Sequence, residues 1–301
     1  MDLDRLAQAL EMPMLTRTQR DTFAADGYLV LHQLCDEAVL EPVRQLIARY
    51  VDGQIRAMHQ RSQIRSLYAE APFAERWALA ARDYNLNPEN PPLVRNWGQG
   101  SLLDRAVYQL LTYPRLTDLA VDLLGPELTA NGDYWVRPKI PNAPSTTFAW
   151  HQDSFYYGGE VRSELRILSV WIPLVDAGEE NGCLSFVPGS HCHGAIPWRD
   201  TDTGQREPIA DVTRYGQARP EPVQVGDAIA FDNRTLHASG HNTTDSEVRW
   251  SIDVRYMPTG QSYAWHSSGD EFDRIYPGFV ARSADPERVT SWEEWRDRPR
   301  G

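Results

Sequence analysis

The residues best suited to chemistry in this 301-residue chain stand together at Trp150-His151-Gln152-Asp153. His151 and Asp153 are two positions apart. On a strand, side chains alternate across the pleat, so this spacing turns an imidazole nitrogen and a carboxylate oxygen toward one spot. Those are two ligands for a metal. A third has to come from elsewhere, and His237 is the best candidate, with His241 as its rival. Two histidines and a carboxylate on one side of an otherwise open metal suit a non-haem Fe(II) that works with O2, and the same donors also serve zinc.

The downstream sequence adds what such an iron needs. Three protein ligands leave three positions open. A 2-oxo acid fills two of them through its keto oxygen and adjoining carboxylate, and O2 takes the last. The far carboxylate then needs a cation at the end of a slot, and the planar fork of an arginine meets it with two parallel hydrogen bonds. Arg249-Trp250-Ser251 offers that arginine with a hydroxyl on the same face, and Ser239 offers a second hydroxyl. Arg255 shares the face of Arg249 and competes for the role. His191 and His193 read as turn residues, and His32 and His59 as structural.

The elements that must position these groups fall into two textures. Residues 1–127 read mainly as helical support. Thr16-Arg17-Thr18-Gln19 is a cap-like helix start, Asp26-Gly27 breaks that helix, and Tyr28 to Leu31 is a short strand. A second helix follows Cys35-Asp36-Glu37, with Val39, Val43, Leu46, Ile47 and Tyr50 at helical spacing. Residues 60–100 read as irregular, because Asn87-Pro88 and Pro91-Pro92 exclude a long helix there. Leu102 to Leu124 reads as a helix pair split at Pro114. From Leu128 to Pro258, short aromatic and β-branched segments alternate with turn residues, the texture of a β-sandwich or barrel. The tail from 259 to 301 closes over the pocket, packs on a second subunit or stays mobile. No domain boundary is drawn, and residues 1–301 are taken as one domain.

Composition excludes several classes. Lys and Arg number 30 against 42 Asp and Glu, a formal charge of −12. So acidic a chain is a poor partner for nucleic acid or an anionic membrane. No apolar run reaches the length of a membrane span. Met1 to Arg5 has neither a basic start nor an apolar core, so no export signal is expected. Three cysteines, Cys35, Cys183 and Cys192, argue against a disulfide framework and for a reducing compartment, the cytoplasm.

As a set, these features resemble the phytanoyl-CoA dioxygenase family of Fe(II)/2-oxoglutarate oxygenases. The resemblance is carried by Phe23-x-x-Asp26-Gly27-Tyr28, Trp150-His151-Gln152-Asp153, Asn181-Gly182-Cys183, Pro188-Gly189-Ser190-His191 and Arg249-x-Ser251, and spans roughly 16–258. It implies an α+β chain with a mainly β core, a double-stranded β-helix (cupin-like jelly roll) with the N-terminal helices packed outside. It implies Fe(II) on His151, Asp153 and His237. It implies 2-oxoglutarate on Arg249, helped by Ser239 or Ser251, with Trp171 close by, and O2 as co-substrate. A retained Asp153 favours hydroxylation or another oxidation over halogenation, since halogenating relatives lack that carboxylate.

The expected reaction is hydroxylation of an unactivated C–H of a small organic molecule, with release of succinate and CO2. Desaturation, cyclisation and epoxidation by the same cofactors stay open, as do a zinc hydrolase and a non-catalytic jelly-roll binding protein. Candidate substrate-side residues are Tyr156, Tyr157, Arg95, Trp97, Arg162, Trp265 and His266. Aromatic walls with one or two arginines suit a small molecule with an acid or polar handle. Oligomeric state is not legible.

Overall fold

The computed structural model describes residues 13–93, 97–98, 102–158, 164–261, 264–265 and 278–298. The N-terminal third is helical. Helix α1 (Arg17–Asp26) starts with a capping box from Thr16 and Gln19 and ends at Gly27, whose φ of 78° is the left-handed cap that glycine adopts freely. Strand β1 (Tyr28–Leu31) follows, then α2 (Glu37–Gln60), α3 (Phe73–Tyr84), β2 (Trp97–Gly98), α4 (Arg105–Leu111) and α5 (Pro114–Leu124). Helix α3 corrects the expectation of an irregular segment. The prolines and asparagines that exclude a long helix lie after it, and Trp77, Ala78, Ala81 and Tyr84 form its buried stripe.

The remainder is mostly strand: β3 (Leu128–Ala130), β4 (Trp135–Lys139), β5 (Tyr157–Gly158), β6 (Leu168–Pro173), β7 (Leu184–Phe186), β8 (Trp198–Asp200), β9 (Arg206–Pro208), β10 (Arg219–Glu221), β11 (Ala228–Asp232), β12 (His237–Ser239), β13 (Arg249–Pro258), β14 (Ala264–Trp265) and β15 (Phe279–Arg282), with a last helix, α6 (Trp292–Arg296). The large sheet runs β1-β11-β6-β13-β3-β15, and β4 pairs with β13 and β2. A smaller sheet runs β10-β7-β12. All the named strand pairs are antiparallel, and the arrangement of two sheets with helices outside is that of a jelly roll.

The period of two in these strands decides what goes where. Along β13, Trp250, Ile252, Val254 and Tyr256 join the core under the helices. The alternate residues Arg249, Ser251, Asp253 and Arg255 therefore face the other way, into the space between the sheets. Strand β6 divides in the same manner, with Leu168, Val170 and Ile172 under the helices and Ser169 and Trp171 on the inner face. On β4, Val136 joins the helix-side core, which leaves Trp135, Arg137 and Lys139 on the inner side. Register then sets the polar pairs: Arg249 lies opposite Lys139, Ser251 opposite Arg137, and Arg255 opposite Ser169. An apolar cluster of Tyr28, Trp171, Leu184, Phe186, Ile229 and Phe231 closes one end of that inner space.

The tail is partly built into the body. Strand β15 pairs with β3, and Trp295 of α6 is 2% exposed in the main core. No helix among the described residues is long and apolar enough to cross a membrane. Cys35 and Cys183 are buried free thiols and Cys192 is an exposed one.

Candidate metal centre

His151 and Asp153 do not share a strand. His151 forms an isolated antiparallel bridge with His237, exchanging backbone hydrogen bonds of 2.9 and 3.0 Å. Asp153 opens a 3-10 turn, Asp153–Tyr156. The turn brings the carboxylate round to the imidazoles where the pleat would have done so on a strand. Gln152 between them is wholly buried and fastens the turn: its amide donates to Gly194 O at 2.9 Å and accepts from the Ile196 amide at 3.1 Å.

The three expected ligands meet. Ligand atoms of His151, Asp153 and His237 lie within 4.8 Å of one another, and all three residues are buried. Asp153 Oδ1 stands 3.8 Å from His151 Nε2 and 3.7 Å from His237 Nε2. The Nδ1 of His151 lies 2.7 Å from Ala149 O, and that of His237 lies 3.0 Å from Thr235 O. A carbonyl can only accept, so each Nδ1 carries the hydrogen and each Nε2 presents its lone pair to the common point. Burial pushes the His151 imidazole down to about 3, with the neighbouring imidazole adding to the effect, and burial lowers His237 as well. Both rings are therefore neutral, the form that binds a metal. Burial alone would raise Asp153, but the Arg255 guanidinium, helped by the Ser169 hydroxyl, outweighs it and holds the carboxyl below its usual range. His241 is exposed and pairs with Thr147 at 3.0 Å, away from this cluster.

A cleft with about 540 Å3 of empty space opens on the triad, with Arg137, Lys139, Trp171, Ser239 and Arg249 in its wall. Arg249 is 2% exposed, and its guanidinium lies 5.0 Å above the Trp171 ring. Its Nη1 donates to Ser251 Oγ at 2.6 Å, while its Nε is buried without a hydrogen-bond partner. No carboxylate among the described residues lies within ion-pair distance of it. Burial pushes it down to about 9, which still leaves a cation at neutral pH. Ser251 Oγ accepts from Arg249, and Ser239 Oγ accepts from the Phe148 amide at 3.0 Å and from Lys139 at 2.7 Å. The Ser251 hydrogen is thus free to be given to a further acceptor, as is that of Ser239 when Lys139 is the ammonium. A buried cation with an orphaned donor, flanked by two such hydroxyls, fits the far carboxylate of a dicarboxylate cosubstrate. Arg255 does not: it is occupied by Asp133, Asp153 and Asp253.

A second cleft, with about 700 Å3 of empty space, shares Arg137, Phe148, His151, Asp153 and Arg255 with the first. Tyr156 and Tyr157 both line it. The Tyr156 ring stands edge-on to His151 at 5.9 Å, and the Tyr157 hydroxyl donates to Asp133 at 3.2 Å. Trp97 is a correction. It is 3% exposed and packs against Tyr50, Trp77 and Trp250 in the helix-side core, because β2 pairs with β4 and joins the sheet. Arg95, Arg162 and His266 lie outside the described residues, and of Trp265 the backbone alone is described, in β14.

Two residues of the site were missed in the sequence. Arg137 lies between the clefts, forked on Asp253 at 2.8 and 3.0 Å and stacked on Phe148 at 4.7 Å. Lys139 is 1% exposed beside Arg249. The signal available was Trp135-x-Arg137-x-Lys139, three polar or amphipathic residues on one face of a strand whose other face is apolar.

Comparison with known proteins agrees with this geometry. The family profile described as Phytanoyl-CoA dioxygenase (PhyH) matches residues 23–250. A phytanoyl-CoA dioxygenase domain-containing protein 1 homolog from Caenorhabditis briggsae is 23% identical over 255 residues, 75% of this chain and 85% of that protein. EvdO2 from Micromonospora carbonacea var. aurantiaca, solved with 2-oxoglutarate, superposes with a TM-score of 0.55 at 23% identity over 85% of this chain and 95% of that one. EctD from S. alaskensis, solved with bound Fe, superposes with a TM-score of 0.55 at 19% identity over 85% of this chain and 81% of that one. With its triad, its jelly roll and a profile match that runs from α1 into β13, the chain belongs to the phytanoyl-CoA dioxygenase family.

Proposed function

We propose that this dioxygenase uses Fe(II), 2-oxoglutarate and O2 to hydroxylate a C–H bond of a small organic molecule. The observation that carries the reading is the placement of an unpaired buried cation, Arg249, in the same cleft as a buried His-Asp-His cluster. A zinc hydrolase would leave Arg249 and the two free hydroxyl donors without a role.

His151 and His237 would hold the iron through Nε2 and Asp153 through Oδ1. When bound, iron with 2-oxoglutarate and O2 supplies the oxidising power for the hydroxylation, with succinate and CO2 as co-products. Arg249 would take the far carboxylate of 2-oxoglutarate, with hydrogens from Ser239 and Ser251. Trp171 forms the floor under that arginine. Lys139 adds a second nitrogen to this wall, held by Ser239 Oγ and Gly240 O, each at 2.7 Å, and by Thr146 O at 3.1 Å. Burial on this side excludes water, which strengthens each of these charge contacts. The substrate would enter the second cleft, where Trp135, Phe148 and Tyr156 give apolar faces within reach of the triad.

Anaerobic addition of Fe(II) and then 2-oxoglutarate tests the reading. A weak visible charge-transfer band is expected only with both, and is lost in Arg249→Ala and in His237→Ala. No band, together with tight zinc binding, would overturn it.

A further inference from the structure

Holding iron and 2-oxoglutarate does not account for a group of buried charges behind the triad. Arg255 touches three carboxylates. Its Nε and Nη2 each lie 3.0 Å from Asp153 Oδ2, its Nε lies 3.3 Å from Asp133 Oδ2, and its Nη1 lies 2.8 Å from Asp253 Oδ2. Its Nη1 also donates to Asp133 O at 3.1 Å. Asp253 is held in turn by the fork of Arg137. Stability alone does not explain such a set, because replacing buried ion pairs by well-packed apolar residues is often neutral or favourable.

The arrangement treats the two oxygens of Asp153 differently. Ser169 Oγ donates to Oδ2 at 2.6 Å, so this oxygen has three donor atoms around it. Oδ1 faces the Nε2 atoms of both histidines, at 3.7 and 3.8 Å. A carboxylate can bind a metal through one oxygen or through both. If both oxygens of Asp153 turned inward, a fourth protein atom would take one of the three remaining positions. A cosubstrate filling the other two would then leave none for O2.

We propose that Arg255 is a positioning residue that pins Oδ2 of Asp153 and so limits this carboxylate to a single contact with iron, through Oδ1. Asp133 and Asp253 hold the guanidinium in place for that task, and Ser169 assists it. The proposal rests on the reading of the triad as an iron site.

The test uses the full-length protein without O2. Wild type, Arg255→Lys and Ser169→Ala are loaded with Fe(II) and 2-oxoglutarate, iron content is measured, and nitric oxide is added as a reporter of the open position. Lysine keeps the charge but has no fork with which to hold Oδ2 and both neighbouring carboxylates at once. Outer partners of metal ligands are worth about 10–100-fold. The nitrosyl resonance signal per bound iron is therefore expected to fall about tenfold in Arg255→Lys, and by less in Ser169→Ala. A merely structural role would shift the thermal midpoint without changing signal per iron. Ser169→Ala removes no charged group, and decides the matter if Arg255→Lys fails to fold. Full signal in the folded variants overturns the role of Arg255, as does a wild type that binds both cofactors yet takes no nitric oxide. A wild type that binds no iron and 2-oxoglutarate overturns the functional reading itself.

Discussion

Lys139 shows how far one side chain is remade by its surroundings. Burial pushes its amine down to about 6, with Arg249 and Arg137 adding to the effect, against 10.5 for a free lysine. Between those values the unfolded chain holds a proton that the folded chain has released. Stability therefore rises with pH across that window, by at most about 1.4 kcal/mol per pH unit for one group. This is an upper bound, because the oxygens of Thr146, Ser239 and Gly240 around Nζ favour the ammonium. Urea midpoints across the pH range above about 6 are expected to climb more steeply in wild type than in Lys139→Met. Parallel slopes would show that Lys139 keeps its proton in the fold. The same residue marks a limit of the sequence. That His151, Asp153 and His237 would cluster, with Arg249 in the same cleft, was legible because their types and spacing already suggest a shared chemistry. Lys139 and Arg137 were not, because their place depends on β4 pairing with β13 more than a hundred residues later. Trp97 was misjudged for a related reason: an aromatic residue in a proline-rich stretch gives no sign of whether a strand will carry it into the core.

At the scale of elements, the motifs of the resemblance turn out to be one another's contacts. A Cβ on Gly27 would run into His191 Nδ1 and lie 2.6 Å from Thr235 Oγ1, so Asp26-Gly27-Tyr28 has glycine where the Pro188-Gly189-Ser190-His191 turn and the approach to β12 close in. The amide of Gly189 donates to Asp26 O at 2.9 Å. The Ser190 hydroxyl accepts from the Leu236 amide at 2.8 Å, one residue before the proposed ligand His237. Each string was readable alone, but their meeting was not, since α1, the turn and β12 are far apart in the chain. Ser190→Ala leaves the Leu236 amide buried without an acceptor, which costs about 1–3 kcal/mol. Denaturant unfolding of the apoprotein is expected to show that loss. A change within about 0.5 kcal/mol, the range of a neutral surface substitution, would mean that the turn relaxes to find another acceptor. The His-Gln-Asp segment shows the same dependence: the pairing of His151 with Asp153 was legible, while the 3-10 turn that presents Asp153 was not.

The whole molecule binds the site to its C-terminal end. Sequence left the tail with three fates, because a polar, tryptophan-rich segment carries no period that assigns it to a sheet. In the fold, β15 extends the large sheet along β3, and α6 drives Trp295 among Tyr108, Tyr134 and Phe279, with ring centroids 4.7 to 6.2 Å away. Tyr134 is the neighbour of Asp133, and the carbonyl of Asp133 accepts from Arg255. The packing of α6 thus supports one wall of the charge cluster behind the His151, Asp153 and His237 cluster. Trp295→Ala removes a side chain that is 2% exposed and leaves a cavity on that wall. Emptying a buried tryptophan site costs about 3–5 kcal/mol, a large part of the total stability of a typical domain. The variant is expected to unfold at a clearly lower denaturant concentration, and below its transition to hold iron less tightly than wild type, since Asp133 and Arg255 lose backing. Lower stability with unchanged iron affinity would confine α6 to a packing role. Stability equal to wild type would mean that the tail docks without bearing on the core.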